Sequence, residues 1–277
     1  MLAAALVLGS LAGSALAFLT PVDGMDLFAR NAQVSSGCST NGPASCHNTT
    51  AQSNLCCFES PGGLVLQVQF WDTDPSTGPS DSWTIHGLWP DNCDGTFEED
   101  CDPSRDYTDI SGLLTAQGAS DTLSFMEEFW VSDDESSEDF WEHEWSTHGT
   151  CYSTLEPSCL PAGSPKGAEA VAFFNTVVGL FQTLPTYDWL ASAGITPSAT
   201  KTYTLSEITN AIQSAHGFTP SLDCDDDTTI FQISYYFNLK GSVIDGEFDP
   251  INMAEQGSCA SEGLKYLPKS GSSTRRS

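Results

Sequence analysis

Leu64–Trp71 (LVLQVQFW) alternates apolar and polar positions with period two, the pattern of a β-strand. Asp72–Asp81 carries Pro75, Gly78 and Pro79 and reads as a loop. Trp83–Trp89 (WTIHGLW) predicts a second strand, stopped by Pro90. Two more strands are predicted at Thr229–Leu239 and Ser242–Phe248, around a turn at Lys240-Gly241. Helices are predicted over Thr108–Gln117, Asp121–Trp130, Ser137–His148, Lys166–Gln182 and Leu205–Ala215. Strands and helices are segregated along the chain rather than alternating. The fold class expected is therefore α+β, an antiparallel β-sheet core packed against several α-helices. No internal repeat is evident.

The two ends differ from this pattern. Met1–Ala17 is an apolar run closing on Ala15-Leu16-Ala17, which reads as a signal peptide over residues 1–17, although no Lys or Arg marks its start. It is short for a bilayer span, and no other stretch is apolar enough for one, so no membrane partner is expected. Residues 18–36 are either a pro-segment or an N-terminal arm, and residues 37–267 form a single domain. Leu264–Ser277 is polar and basic and is expected to fray, leaving 268–277 as a flexible basic tail.

The length suits one substantial core or two small ones, and a hydrophobic content of 39% fits a globular protein. Ten cysteines behind a signal peptide point to five disulfides made in an oxidising compartment: Cys38, Cys46, Cys56, Cys57, Cys93, Cys101, Cys151, Cys159, Cys224 and Cys259. Adjacent Cys56 and Cys57 face different ways and should staple two separate elements. The residues alone leave roughly 900 pairings open. With no C-x-x-C pair, metal and redox roles for the cysteines are not expected. Asn48-Thr49-Thr50 is an N-glycosylation sequon.

The densest chemistry lies in Phe140–Cys151 (FWEHEWSTHGTC), where His143, His148, Glu142 and Glu144 fall within seven residues. On an α-helix Glu144 and His148, four apart, share a face, and His143 points elsewhere. A carboxylate one turn from an imidazole would hold the ring and raise its proton affinity. The zinc-protease pattern H-E-x-x-H needs two imidazoles four apart; here the spacing is five, so no metal is expected. Asp223-Cys224-Asp225-Asp226-Asp227 resembles a calcium loop only superficially. Thr228 and Ser234 stand where a glycine and a bidentate glutamate are needed, so an exposed acidic turn is expected. His86, within the second strand, would by default be a packed core histidine.

Ser82–Cys93 (SWTIHGLWPDNC) and Phe140–Cys151 together resemble the two active-site segments of the ribonuclease T2 family, secreted acid endoribonucleases. LQVQFWDTDP, SLDCDDD, YYFNLKGSVIDGEF and the cysteine layout of the fungal members extend that resemblance over most of the mature chain. It implies an enzyme that cleaves single-stranded RNA by metal-independent transesterification with low base specificity. The route runs through a 2′,3′-cyclic phosphate to a 3′-phosphate and is closed to DNA, which lacks the 2′-hydroxyl. Neither cofactor nor metal is implied, and the protein is expected to be monomeric and secreted or held in a vacuole. By similarity His148 is the base and His86 the acid, roles that could be exchanged, Glu144 assists at the phosphate and His143 binds it. Trp89 and Asp91 match positions for one base, Gln69 and Phe140 for the other, and Phe97 falls where a tyrosine often stacks. Trp83 and Trp141 fit core packing at least as well as ligand contact. The implied disulfides are Cys38–Cys57, Cys46–Cys93, Cys56–Cys159, Cys101–Cys151 and Cys224–Cys259.

Two features cut against this reading. Thr147 stands where the family usually has a lysine, and losing a charged stabiliser typically costs about 10²–10³-fold in rate. The net charge of −28 opposes RNA binding, and nine Asp or Glu lie between Glu127 and Glu144. About half of ordinary carboxylates are protonated at roughly pH 4–4.5, so an acidic optimum is expected. The other classes are a catalytically weakened binding or effector protein on the same scaffold and a metal-dependent hydrolase using the acidic clusters.

Overall fold

The computed structural model describes Val34, residues 37–48 and residues 52–270. The expected signal peptide, most of the 18–36 segment, and Thr49 and Thr50 of the sequon lie outside the described residues. Seven strands form one sheet: β1 (Leu64–Phe70), β2 (Thr84–Asp91), β3 (Thr202–Thr204), β4 (Ser221–Asp225), β5 (Thr229–Lys240), β6 (Glu247–Ile251) and β7 (Glu262–Lys265). The order is β2-β1-β5-β7-β3, with β4 and β6 also paired to β5. Every pairing is antiparallel except β5 with β7, where Thr229 meets Lys265 in parallel, so the sheet is mixed.

Six α-helices are present among the described residues: α1 (Ile110–Ala116), α2 (Ser120–Phe129), α3 (Ser137–His143), α4 (Ala168–Gln182), α5 (Thr186–Ser192) and α6 (Leu205–His216). Helix α6 starts on a capping box between Thr204 and Glu207 and stops at Gly217, whose φ of 96° an L side chain avoids. Helix α4 is buried on almost every side and forms the centre of the core with Trp130, Trp145, Phe173 and Phe174. A smaller apolar cluster of Leu64, Leu66, Val68 and Tyr236 covers the opposite face of β1 and β5. Strand β1 is therefore buried on both faces. Its polar residues Gln67 and Gln69 point into the main core and are held there by hydrogen bonds.

Four expectations are corrected. Pro90 does not stop β2 but lies within it opposite Val65, which the sheet tolerates because β2 is an edge strand and no outer neighbour needs its N–H. The strand expected over Ser242–Phe248 starts only at Glu247, after a turn. Strands β3, β4 and β7 and helix α5, all short, are additional. Residues 264–270 do not fray, and 271–277 lie outside the described residues: Leu264 and Tyr266 are buried, and the Leu267 carbonyl accepts from Trp71 Nε1 at 2.7 Å. Lys269 is buried over the Trp71 ring and donates to the Ser82 carbonyl at 2.9 Å, so residues 268–270 pack with the domain.

The five disulfides pair as the resemblance implied: Cys38–Cys57, Cys46–Cys93, Cys56–Cys159, Cys101–Cys151 and Cys224–Cys259. Asp226 and Asp227, with φ of 49° and 60°, make the tight hairpin turn between β4 and β5, as the acidic-turn reading expects.

Candidate active site

Strand β2 carries one more residue than its partner can pair. Val68 lies opposite Gly87 and Gln69 opposite Ile85, which leaves His86 as the extra residue of a β-bulge. A bulge re-aims a side chain out of the ladder. The His86 ring stacks on Phe70, with centroids 3.8 Å apart, meets the edge of Trp89 at 4.7 Å and lies 5.8 Å from Phe140. Its Nδ1 is 3.0 Å from Gln232 Oε1 and its Nε2 is 3.5 Å from Glu144 Oε1. His86 is thus not a satisfied core histidine.

Glu144 is fully buried. Trp89 Nε1 donates to its Oε2 at 3.1 Å, while Oε1 has no hydrogen-bond partner. The carboxyl comes so close to β2 that a Cβ on Gly87 would fall 1.8 Å from Oε2, so only glycine fits there. Burial raises the Glu144 pKa to about 8, and the carboxyl holds its proton at acidic and neutral pH. Burial lowers His86 to about 3, against the opposing effect of the Gln232 hydrogen bond. Burial, then the charge of His143, lowers His148 to about 4. The expectation that Glu144 raises the proton affinity of His148 does not hold: burial and His143 lower it, and a neutral Glu144 carboxyl offers no charge to stabilise imidazolium.

The second segment is not one straight helix. Helix α3 ends at His143, and Glu144–His148 form a π-helical turn in which the Gly149 N–H reaches the Glu144 carbonyl five residues back. The wider turn returns residues five apart to the same side. His143 and His148 rings are 6.2 Å apart, and ligand atoms of His143, Glu144 and His148 all lie within 4.8 Å of one another. The expectation that His143 points elsewhere is overturned for this reason. Trp145 anchors the turn: it is fully buried, donates to the Arg105 carbonyl at 2.7 Å, and packs so tightly on Gly149 that a Cβ there would lie 2.4 Å from the ring. The Cys101–Cys151 bridge holds the far end.

The Ribonuclease T2 family model matches residues 62–247, more than half of the chain. The chain belongs to the ribonuclease T2 family. Among relatives, it is 64% identical over 238 residues to Ribonuclease Le2 of Lentinula edodes, covering 85% of this chain and 98% of that protein. It is 48% identical to Ribonuclease T2 of Aspergillus oryzae, covering 84% of each. The crystal structure of Actibind, described as a T2 ribonuclease, superposes with a TM-score of 0.80 at 49% identity, covering 84% of this chain and 98% of that one. The protein is a T2-type ribonuclease.

The remaining positions expected of a T2 site divide into three groups. Trp89 stacks on His148 at 5.0 Å, and Asp91, two residues on, shares its face of β2. Burial, with a contribution from Glu255, raises Asp91 to about 7. Phe97 is 60% exposed on the loop after β2, open to a stacking partner. Phe140 is buried and forms a wall against His86 rather than an open platform. Gln69 is not brought to the site. Its side chain lies on the opposite face of β1, donating to Gln67 and the Leu184 carbonyl and accepting from Thr186. Thr147 is buried, and its hydroxyl lies 3.3 Å from Asp100 Oδ1, so it is not free to stand in for the family lysine. Trp83 and Trp141 are core residues, donating to Tyr266 and the Trp130 carbonyl. Sequence reasoning missed Gln232, whose partner His86 lies 146 residues away. A polar residue between Phe231 and Ile233 in a predicted strand was the only trace of it.

Proposed function

We propose that this ribonuclease cleaves single-stranded RNA without a metal, by transesterification through a 2′,3′-cyclic phosphate to 3′-phosphate products. One imidazole takes the 2′-hydroxyl proton as O2′ attacks phosphorus, and the other protonates O5′ as the P–O5′ bond breaks. Water then reverses the proton roles and opens the cyclic phosphate. By similarity His148 is the base and His86 the acid. The observation that carries this reading is the Glu144 carboxyl beside His86 Nε2 with its Oε1 unpartnered. A buried acidic group in that position donates a hydrogen bond to a phosphoryl oxygen without adding negative charge. His143, exposed beside His148, supplies a cation for phosphate once protonated.

Base recognition falls to Trp89 and Asp91 on one side and to exposed Phe97 as a platform, a sequence-tolerant way of holding a splayed base. That RNase NT, 25% identical with a TM-score of 0.54, has been crystallised with 5′-AMP supports a nucleotide subsite on this fold. Five disulfides support folding in an oxidising compartment, secreted or vacuolar, and no helix among the described residues is long and apolar enough to cross a membrane. Monomeric action is part of the same proposal, as is glycosylation of Asn48.

The test is RNA cleavage near pH 4 with EDTA present, by wild type, His86→Ala and His148→Ala. Metal-free turnover with a cyclic-phosphate product, lost in both variants, is expected. Loss of wild-type activity on EDTA treatment would favour a metal held by His143, Glu144 and His148. A folded wild type with no turnover would favour the binding-protein alternative.

A further inference from the structure

The Nδ1 side of His86 lies on a relay that crosses four strands. His86 on β2 stacks over Phe70 on β1 and reaches Gln232 on β5, which is itself the cross-strand partner of Phe70. Gln232 lies opposite Asp223 on β4, and its amide Nε2 is 3.3 Å from Asp223 Oδ2. Asp223 Oδ1 in turn accepts the Ser258 N–H at 2.9 Å, and Ser258 Oγ caps the Cys224 N–H at 2.9 Å, beside the Cys224–Cys259 bridge. The chemistry of these groups sets the direction of every bond. The NH₂ of Gln232 donates to Asp223 Oδ2, which leaves its carbonyl oxygen to face His86. A carbonyl oxygen only accepts, so the proton of neutral His86 must sit on Nδ1.

We infer that Gln232, oriented by Asp223, is a positioning residue that locks His86 in the Nδ1–H tautomer. Its Nε2 is then the single site that takes up and delivers the catalytic proton. Nε2 is the nitrogen that faces Glu144, and the proton added there is the one passed to O5′ in the first step; Gln232 itself makes and breaks no bond. The inference rests on the ribonuclease reading of His86 and extends it to a residue outside both histidine segments. It also gives Asp223 a role that the failed calcium-loop pattern did not.

The groups facing His86 are Glu144 at Nε2, Gln232 at Nδ1, the rings of Phe70, Trp89 and Phe140, and, through space, His143 and His148. Apart from Gln232, none of them is shown accepting from Nδ1. Replacing Gln232 by methionine should therefore free the tautomer, whereas glutamate should retain an acceptor.

Nitrogen-15 NMR of the imidazoles in the resting protein, together with pH-rate profiles, tests this. Wild type should show neutral His86 protonated on Nδ1. Gln232→Met should mix tautomers and lower kcat by about ten- to a hundredfold, the scale on which losing the group that orients a functional histidine is felt. KM should change within about twofold, because the uncleaved substrate does not need that proton. Gln232→Glu should keep the Nδ1–H signature, recover a larger share of kcat and move the His86 limb of the pH profile upward. A wild-type His86 protonated on Nε2, or a Gln232→Met variant with unchanged tautomer and profile, would overturn the inference. The tautomer is read without turnover, so a failure of the ribonuclease mechanism would be seen separately as an inactive wild type with Nδ1–H intact.

Discussion

A carboxyl group cut off from water keeps its proton far past the pH at which an exposed one loses it, and Glu144 is such a group. Its pKa is about 8 in the folded protein against 4.5 for a free side chain, so its contribution to stability is fully present below about 4.5 and is lost as pH rises through 8. Glu144→Gln carries no ionisable proton and escapes that loss. It should melt within experimental error of wild type at pH 4 and several degrees higher at pH 7.5. The gain corresponds to roughly 2–4 kcal/mol. Equal melting temperatures at pH 7.5 would mean that Glu144 is ionised there. Thr147 makes a second residue-scale case. Its contact with Asp100 means that a lysine introduced at 147 meets a carboxylate before it meets substrate. Thr147→Lys should raise kcat by up to about tenfold, and Asp100→Asn in the same chain should raise it further by releasing the ammonium to the phosphate. An unchanged kcat in the double variant would remove the missing lysine as an explanation of rate.

At the scale of elements, the π turn at Glu144–His148 decides the site. It brings His143, Glu144 and His148 together, where a continued α-helix would separate the two histidines. Trp145 cannot retreat from Gly149, because it is packed against Phe173 and Tyr107 and tied to Arg105. Gly149→Ala should therefore open the turn, reducing kcat by at least about tenfold and costing about 1–3 kcal/mol, as overpacking of a filled core does. A variant with a lowered melting temperature but wild-type kcat would show that the turn is not what aligns His148. The elements the sequence located well, α4 and β5 above all, have a long run of residues with one burial pattern. It failed at the short strands β3, β4 and β7, whose three to five residues carry too little periodicity to read.

The whole molecule carries a net charge of −28, which repels the polyanion its site is built to cleave. Salt screens that repulsion, so at pH 7 raising the ionic strength from low values should lower KM for RNA, the reverse of the loss seen with cationic binders. Near pH 4 the effect should shrink, since about half of the carboxylates are then neutral. The same pH window suits the histidines. Catalysis needs one imidazole charged and one neutral; with pKa values of about 3 for His86 and 4 for His148, singly protonated forms peak between them and fall off above, the form with the proton on His86 being the minor one until substrate phosphate favours it. In the complex, phosphate stabilises imidazolium and raises both values. The optimum of kcat should therefore lie above that of kcat/KM, with both acidic. An optimum of kcat/KM above pH 7 would contradict the burial of both rings.

The sequence by itself determined what is local or compositional. His86, Glu144 and His148 lie in two short segments that carry the resemblance to the ribonuclease T2 family, and ten cysteines, one partner to each in five disulfides, carry the oxidised scaffold. Strand period and capping residues likewise predict the longer elements without reference to the rest of the chain. Only the tertiary structure decided what depends on direction and on distant neighbours. It turned His143 toward His148 through a π turn, sent Gln69 to the wrong face of β1 for base contact, and set Gln232 on the far nitrogen of His86. It also drew Lys269 into the core from a segment that reads as a loose tail. Each of these follows from packing between residues far apart in the chain, and periodicity carries no record of such contacts.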